Sequence, residues 1–409
     1  MNLQELIDAS SNVYIPTGIY ETSGIFISSN KTITFADGVI IKASLDEDEY
    51  KLIKTRVAGI NMMWYPALIN IIDANNVIIK GHAIIDGQGE YWWNKYWGPD
   101  LKSGMRSIFD SHNARWACDY ECMRPRNLLI QNSSNIIIED IESYRSGFWN
   151  IHILYSHDIV IKNVKITTLP MESPSTDGID IDSSYNVLID SVEADCFDDS
   201  ICIKSGRDMD GIRTNIPSHD IEIRNSIIKK GFGITIGSEV SGGIYNINIH
   251  DIKYINTDCG FRIKSARTRK GYIKNINISN LDMTNVKYIF NMYLDWNPNY
   301  NKITKPDIKL KTDISSLYEE IPSDIKNTII DGINIKNVKS TISKDYEGIS
   351  RLFNIVGFDD SPMKNILIDS AKIKCFEYGI VKNADVIIIN SDINAIGDEN
   401  RANDEFDNR

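Results

Sequence analysis

Isoleucine and valine alternate with polar residues in short runs that recur along this chain. The unit reads Asn/Asp-Ile/Val-x-Ile-x-x-Ile/Val, as in Asn246-Ile-Asn-Ile-His-Asp-Ile252, and begins at Asn135, Asp158, Asn186, Asp220, Asn246 and Asn275, with later copies at Gly332, Asn365 and Asp385. Alternation of this kind marks a strand with one buried face. The starts are separated by 23, 28, 34, 26, 29, 57, 33 and 20 residues, the step of 57 being read as two turns with one copy blurred. A period in this range means stacked structural units. The strands are short and β-branched, and the segments between them are too brief for crossover helices, so the pattern predicts an all-β chain wound as a parallel β-helix, each coil a rung ~4.8 Å above the last. Asn and Asp at the unit starts are read as corner residues, whose side chains bond local backbone and tolerate left-handed conformations.

A solenoid keeps one continuous core however long it grows, so the 409 residues are read as a single domain. Residues 1–12, with Leu3, Leu6 and Ile7 at helical spacing, form a short N-terminal cap. Residues 88–127 are an insertion rich in aromatic and arginine residues, and residues 398–409 lose the apolar period and read as a polar tail. The formal net charge of -12 argues against nucleic acid as the main partner, since phosphate binding needs clustered cations. No stretch is apolar enough to span a membrane, and the N-terminus lacks the marks of a leader, which leaves cytoplasmic and secreted locations equally open. Six cysteines show no repeated metal-ligand spacing, and the close pair Cys118 and Cys122 is read as free thiols. His152, His157, His219 and His250 fall at different unit positions and receive no role.

Four segments carry chemistry on the same apolar frame: Thr176-Asp177-Gly178-Ile179, Asp198-Asp199-Ser200-Ile201, Gly231-Phe232-Gly233-Ile234, and Arg262-Ile263-Lys264. Asp177, Asp199 and Phe232 each stand two residues before an isoleucine, which predicts one column on successive coils, with Asp198 beside it. Strict alternation would turn Asp199 into the apolar interior at a cost of several kcal/mol. A bend before the strand that rolls Asp198 and Asp199 outward is the cheaper geometry. Carboxylates crowded on one patch raise one another's proton affinity, so one can serve as an acid while another serves as a base.

These four segments resemble the motifs of the family 28 glycoside hydrolases, which include polygalacturonases and rhamnogalacturonan hydrolases. The likeness runs from Val13 to about Trp296. It implies a right-handed parallel β-helix that hydrolyses α-glycosidic bonds of galacturonic-acid-containing pectic chains with inversion, by direct attack of water and without a metal or organic cofactor. Asp198 then protonates the glycosidic oxygen, Asp177 and Asp199 activate water, and Arg262 and Lys264 bind the sugar carboxylate. Ser175 stands where the family motif has Asn, and Phe232 where it has His. Phe cannot donate a hydrogen bond or a proton, which admits altered specificity, a sugar-stacking platform or a noncatalytic pectin-binding solenoid. Lys204, Glu239, Arg124 and Trp92 complete the expected substrate-binding set.

The block Tyr91-Trp-Trp-Asn-Lys-Tyr-Trp97 and the arginines of Arg115-Trp116 and Arg124-Pro-Arg126 offer faces and forks for acidic sugars. An insertion there would close the cleft into a pocket and favour attack at a chain end. Arg207 and Arg213 are placed to contact an anionic sugar, whereas Asp119, Glu121 and the run Asp46–Glu49 read as solvated surface. A calcium-dependent pectate lyase is the remaining catalytic alternative, distinguished by its unsaturated product.

Overall fold

The computed structural model describes residues 2–168, 172–301 and 303–397, apart from the side chain of Asn299; the polar tail at 398–409 lies outside the described residues. Parallel strands stack into an 18-stranded and an 11-stranded sheet, one coil above the next, and form a right-handed parallel β-helix. The 11-stranded sheet takes one short strand from each coil, from Ile25–Phe26 at one end to Glu377–Lys382 at the other. Its register is continuous. Ile151, Ile179, Ile201, Ile234 and Phe261 lie opposite one another on consecutive coils, as do Ile153, Ile181, Ile203, Ile236 and Ile263. All ten are fully buried, so the β-branched side chains fill the narrow interior as two columns.

The corners explain the Asn and Asp at the unit starts. Asp220, Asn246, Asn275 and Asn280 have φ of 53°, 55°, 53° and 56°, a left-handed conformation that a short polar side chain tolerates best after glycine. Their amides also bond from coil to coil. Asn246 donates to Asp220 at 3.0 Å, Asn275 to Asn246 at 2.8 Å, and Asn337 to Asn280 at 2.7 Å.

One step of the repeat differs from what the spacing predicts. Asn277 pairs directly with Asn334 and Ile276 with Ile333, so the 57-residue step is one coil and not two. The extra length leaves the solenoid at Leu294 and returns at Ile329, which periodicity cannot distinguish from a blurred coil.

Helices occur only where the chain leaves the coils or caps them. Among the described residues these are α1 (Leu3–Asp8), α2 (Gly89–Trp97), α3 (Met105–Ser111), α4 (Arg115–Glu121), α5 (Asp208–Thr214) and α6 (Pro298–Asn301). An antiparallel hairpin, Ile53–Val57 with Ile60–Trp64, projects from the same side. Hairpin, α2–α4 and the 294–328 excursion share a second apolar core built from Val57, Trp64, Trp116, Tyr120, Phe148, Tyr300 and Leu317. This core is separate from the solenoid's own, and its Ala58, Phe148, Trp149 and Tyr300 line a cleft with residues of the 11-stranded sheet.

The left-handed corners predict an unusual ranking of substitutions. Asn280→Gly loses only the side-chain bonds, whereas Asn280→Ala also pays for a Cβ at positive φ, so urea unfolding should find the alanine variant less stable than the glycine variant by about 1 kcal/mol.

Candidate active site

Asp177, Asp199 and Phe232 each lie just before a strand of the 11-stranded sheet, outside its strict alternation. Coils approach closely here. The Gly178 amide donates to Asp199 O at 2.8 Å, and a Cβ on Gly178 would sit 2.2 Å from Ser200 O. Gly233, at φ 72°, would place a Cβ 2.2 Å from Cys259 O. No larger residue fits either crossing, and these crossings hold the carboxylates on the outer face.

Asp199 is clamped. Its Oδ1 accepts from Thr235 Oγ1 at 2.6 Å, and its Oδ2 accepts from Lys264 Nζ at 2.6 Å, with Arg262 Nη1 3.6 Å from Oδ1. Thr235 and Arg262 are register partners on neighbouring coils, one position after the buried column, so the alternation that hides Ile234 and Ile236 turns these side chains to the cleft. Lys204, at the end of its strand, is surrounded by Asp177 Oδ2 at 3.2 Å, Asp180 Oδ1 at 3.3 Å and Glu239 Oε2 at 3.6 Å, with the Trp149 ring 4.9 Å away. Asp198 keeps an edge open to the cleft and accepts the Asp199 amide at 2.9 Å.

The electrostatics separate the acids. Burial drives the Asp199 carboxyl up, but Lys264, Arg262 and Lys204 outweigh it and hold the pKa down at about 2. Burial, then the charges of Asp177 and Asp199, push Asp198 up to about 7. Asp177 is raised well above the ordinary range by burial and then by Asp180, with Lys204 opposing. Asp177 and Asp198 therefore titrate as a pair that retains a proton near neutrality. Asp180, also pushed up to about 7 by burial against Lys204, is a fourth buried acid.

An oxygen from each of Asp177 and Asp199 and the Cys202 sulfur lie within 4.8 Å of one another, a spacing that suits a cation. The donor set fits a metal poorly. Lys204 and Lys264 already bring ammonium charge to both carboxylates, and burial raises the Cys202 thiol well above its ordinary pKa.

Asp177, Asp198, Lys204, Phe232, Glu239, Arg262 and Lys264 line one cleft together with Ala58, Arg115, Asp119, Trp149, Trp296 and Tyr300. The guanidinium carbon of Arg262 lies over the Phe232 ring, 4.4 Å from its centre. Support for the carboxylates at this corner comes from Thr235, Lys204 and Lys264.

Other expected residues lie elsewhere. Arg124 is fully buried behind the cleft, where it donates to Gly147 O and Pro174 O and lies over Phe148 and Tyr96. Trp92 is fully buried in the solenoid core and donates to Gly87 O. Arg207, expected at an anionic sugar, is fully buried: it donates to Tyr120 Oη and Tyr300 O and pairs with Asp208. Asp119 and Glu121 are buried too, Glu121 accepting the Lys311 and Thr312 amides. Sequence reasoning passed over Asp180, although alternation already turns it outward between Ile179 and Ile181. Trp296 and Tyr300 carry no such local signal.

A sequence model described as glycosyl hydrolases family 28 matches residues 10–352. The chain belongs to this family. A probable polygalacturonase of Vitis vinifera is 31% identical over 291 residues, covering 69% of this chain and 55% of the relative. An endo-polygalacturonase of Pectobacterium parmentieri is 26% identical over 273 residues, covering 66% of this chain and 64% of the relative. The chain thus spans between about half and two thirds of these curated relatives. Among solved structures, a hyperthermoactive exopolygalacturonase from Thermotoga maritima superposes with a TM-score of 0.76 at 25% identity, over 94% of this chain and 84% of that one.

The Asp180 shift fixes a direction for stability. A carboxyl raised to about 7 in the fold favours folding fully below its unfolded value near 3.8 and loses that contribution as pH rises through about 7. Asp180→Asn should therefore flatten the fall in melting temperature between pH 4.5 and pH 7.5; an unchanged slope would place the titration on other groups.

Proposed function

We propose that the protein is a polygalacturonase-type glycoside hydrolase that cleaves galacturonic-acid-containing α-glycosides with inversion, at a chain end. The carrying observation is that Asp177 and Asp198 line one cleft with Arg262 and Lys264, and that these two cations also hold the buried Asp199. Asp198 holds its proton to about pH 7 and faces the cleft, as a general acid for the glycosidic oxygen must. Asp199 is ionised across the physiological range, and the Lys204 ammonium at 3.2 Å favours Asp177 as the ionised member of its pair. These two carboxylates, on successive coils, hold and deprotonate the attacking water. Water attacks the anomeric carbon, the bond to the leaving oxygen breaks, and that oxygen takes the Asp198 proton. Arg262 and Lys264 attract a uronate carboxylate, which reconciles an acidic protein with an acidic sugar.

End-attack is supported by the exopolygalacturonase superposition, and the second apolar core lends Ala58, Phe148, Trp149 and Tyr300 to the lining of the cleft. Phe232 leaves room for a rhamnogalacturonan-type specificity, since its ring offers a face in place of a polar contact.

The deciding assay measures reducing sugar and product spectra from homogalacturonan and rhamnogalacturonan oligomers, with chelator present, for the wild type and Asp198→Asn. Saturated monosaccharide should appear from the wild type, and the rate should fall by about 10²–10⁴-fold in the variant. An ultraviolet-absorbing unsaturated product would assign a lyase, and binding without release would assign a pectin-binding solenoid.

A further inference from the structure

The two cations beside the catalytic carboxylates are bracketed by rings. The Arg262 guanidinium carbon lies 4.4 Å from the centre of the Phe232 ring and 5.9 Å from that of Trp296, and Lys264 Nζ lies 4.6 Å from the Trp296 ring. The rings come from distant parts of the chain, Phe232 from the turn before the strand Ile234–Ile236 and Trp296 from the excursion that leaves the solenoid at Leu294. Asp199 approaches Arg262 at 3.6 Å, a charge contact longer than a hydrogen bond, which attracts the guanidinium without fixing its direction. A ring face attracts the same cation and restricts where it lies, and it brings no charge of its own.

Both rings are themselves held. The Phe232 amide donates to Asp198 O at 3.0 Å, and the flanking Gly231 and Gly233 have φ of 64° and 72°. A Cβ on Gly231 would sit 2.4 Å from Asp198 O, so the turn is pressed against its neighbouring coil. The half-buried ring packs against Cys259, Tyr288 and Ile349, the last from the loop ahead of the strand Arg351–Val356. Trp296 is anchored by its amide, which donates to Ser265 O at 3.1 Å, directly after Lys264. Arg262 has the longest and most flexible side chain of the three, and it is the one whose position the rings set. An arginine ordered before its ligand arrives loses less rotamer freedom on binding.

We propose that Phe232 is a positioning residue for Arg262 and thereby sets the preference of the cleft for a free uronate over its neutral ester, a proposal that rests on the uronate-binding reading above. The ring acts on the sugar through the guanidinium it orders and not by stacking on the sugar itself. A histidine at this corner would place a titratable charge beside Arg262; phenylalanine places only an attractive face there.

The test uses the full chain carrying Asp198→Asn to suppress turnover, titrated calorimetrically with galacturonate trimer and with its methyl ester. Phe232→Leu should weaken binding of the acid about tenfold and of the ester by less than about twofold, and Phe232→Tyr, which keeps the ring, should retain most of the affinity. In an Arg262→Gln background, Phe232→Leu should add no further loss, the non-additivity expected of a residue that acts through another. If the melting curve shows Phe232→Leu unfolded, Phe232→Met takes its place in the same cycle. Equal losses for acid and ester, or the same loss with and without Arg262, would show that the ring touches the sugar or only shapes the cleft, and overturns the proposal. Binding of the acid trimer without cleavage by the chain that retains Asp198 overturns the hydrolase reading alone. Absence of binding of either trimer overturns both.

Discussion

The whole site depends on the coil-to-coil register of the 11-stranded sheet. Ile179, Ile201 and Ile234 occupy one buried column, and any slip by one residue would turn every outward side chain inward. That constraint carries Asp180, Cys202, Thr235 and Arg262 up the outer face as a second column. Asp199 and Lys264, 65 positions apart in sequence, meet at 2.6 Å because their strands and the single rung between them fall in phase. The glycine crossings at Gly178 and Gly233 belong to the same constraint, since backbone contact leaves no space for a side chain.

Once the register is set, charge differentiates chemically identical side chains. Three aspartates share one patch, yet Asp199 faces two cations and remains ionised, whereas Asp198 feels chiefly burial and its acidic neighbours. Lys204 serves Asp177, Asp180 and Glu239 together, so a single ammonium keeps several acids from repelling one another apart. The Phe232 ring belongs to this arrangement through Arg262, whose guanidinium lies over it.

The solenoid alone would give an open groove. What shapes it into a walled cleft is a separate apolar core assembled from three excursions far apart in sequence, with Arg207 as the polar tie between them. The tryptophans and arginines of the 88–127 insertion mostly build that wall and the seam behind it. Arg124 is buried in this seam and Trp92 in the solenoid core, and of residues 88–127 only Arg115 and Asp119 line the cleft.

The repeat, its inward columns and the convergence of Asp177, Asp198, Asp199, Arg262 and Lys264 were legible in the chain itself, because a period-2 strand repeated at coil spacing converts sequence position directly into spatial position. Asp180 was legible by the same rule and was overlooked. Tertiary structure alone decided that the 57-residue step is one coil with an excursion, that Arg124 and Arg207 are buried ties, and that Asp119 is a cleft residue rather than solvated surface. Those outcomes rest on contacts between segments with no shared period, such as Tyr120 with Ala58 and Arg207 with Tyr300, and local alternation says nothing about which such segments will pack together.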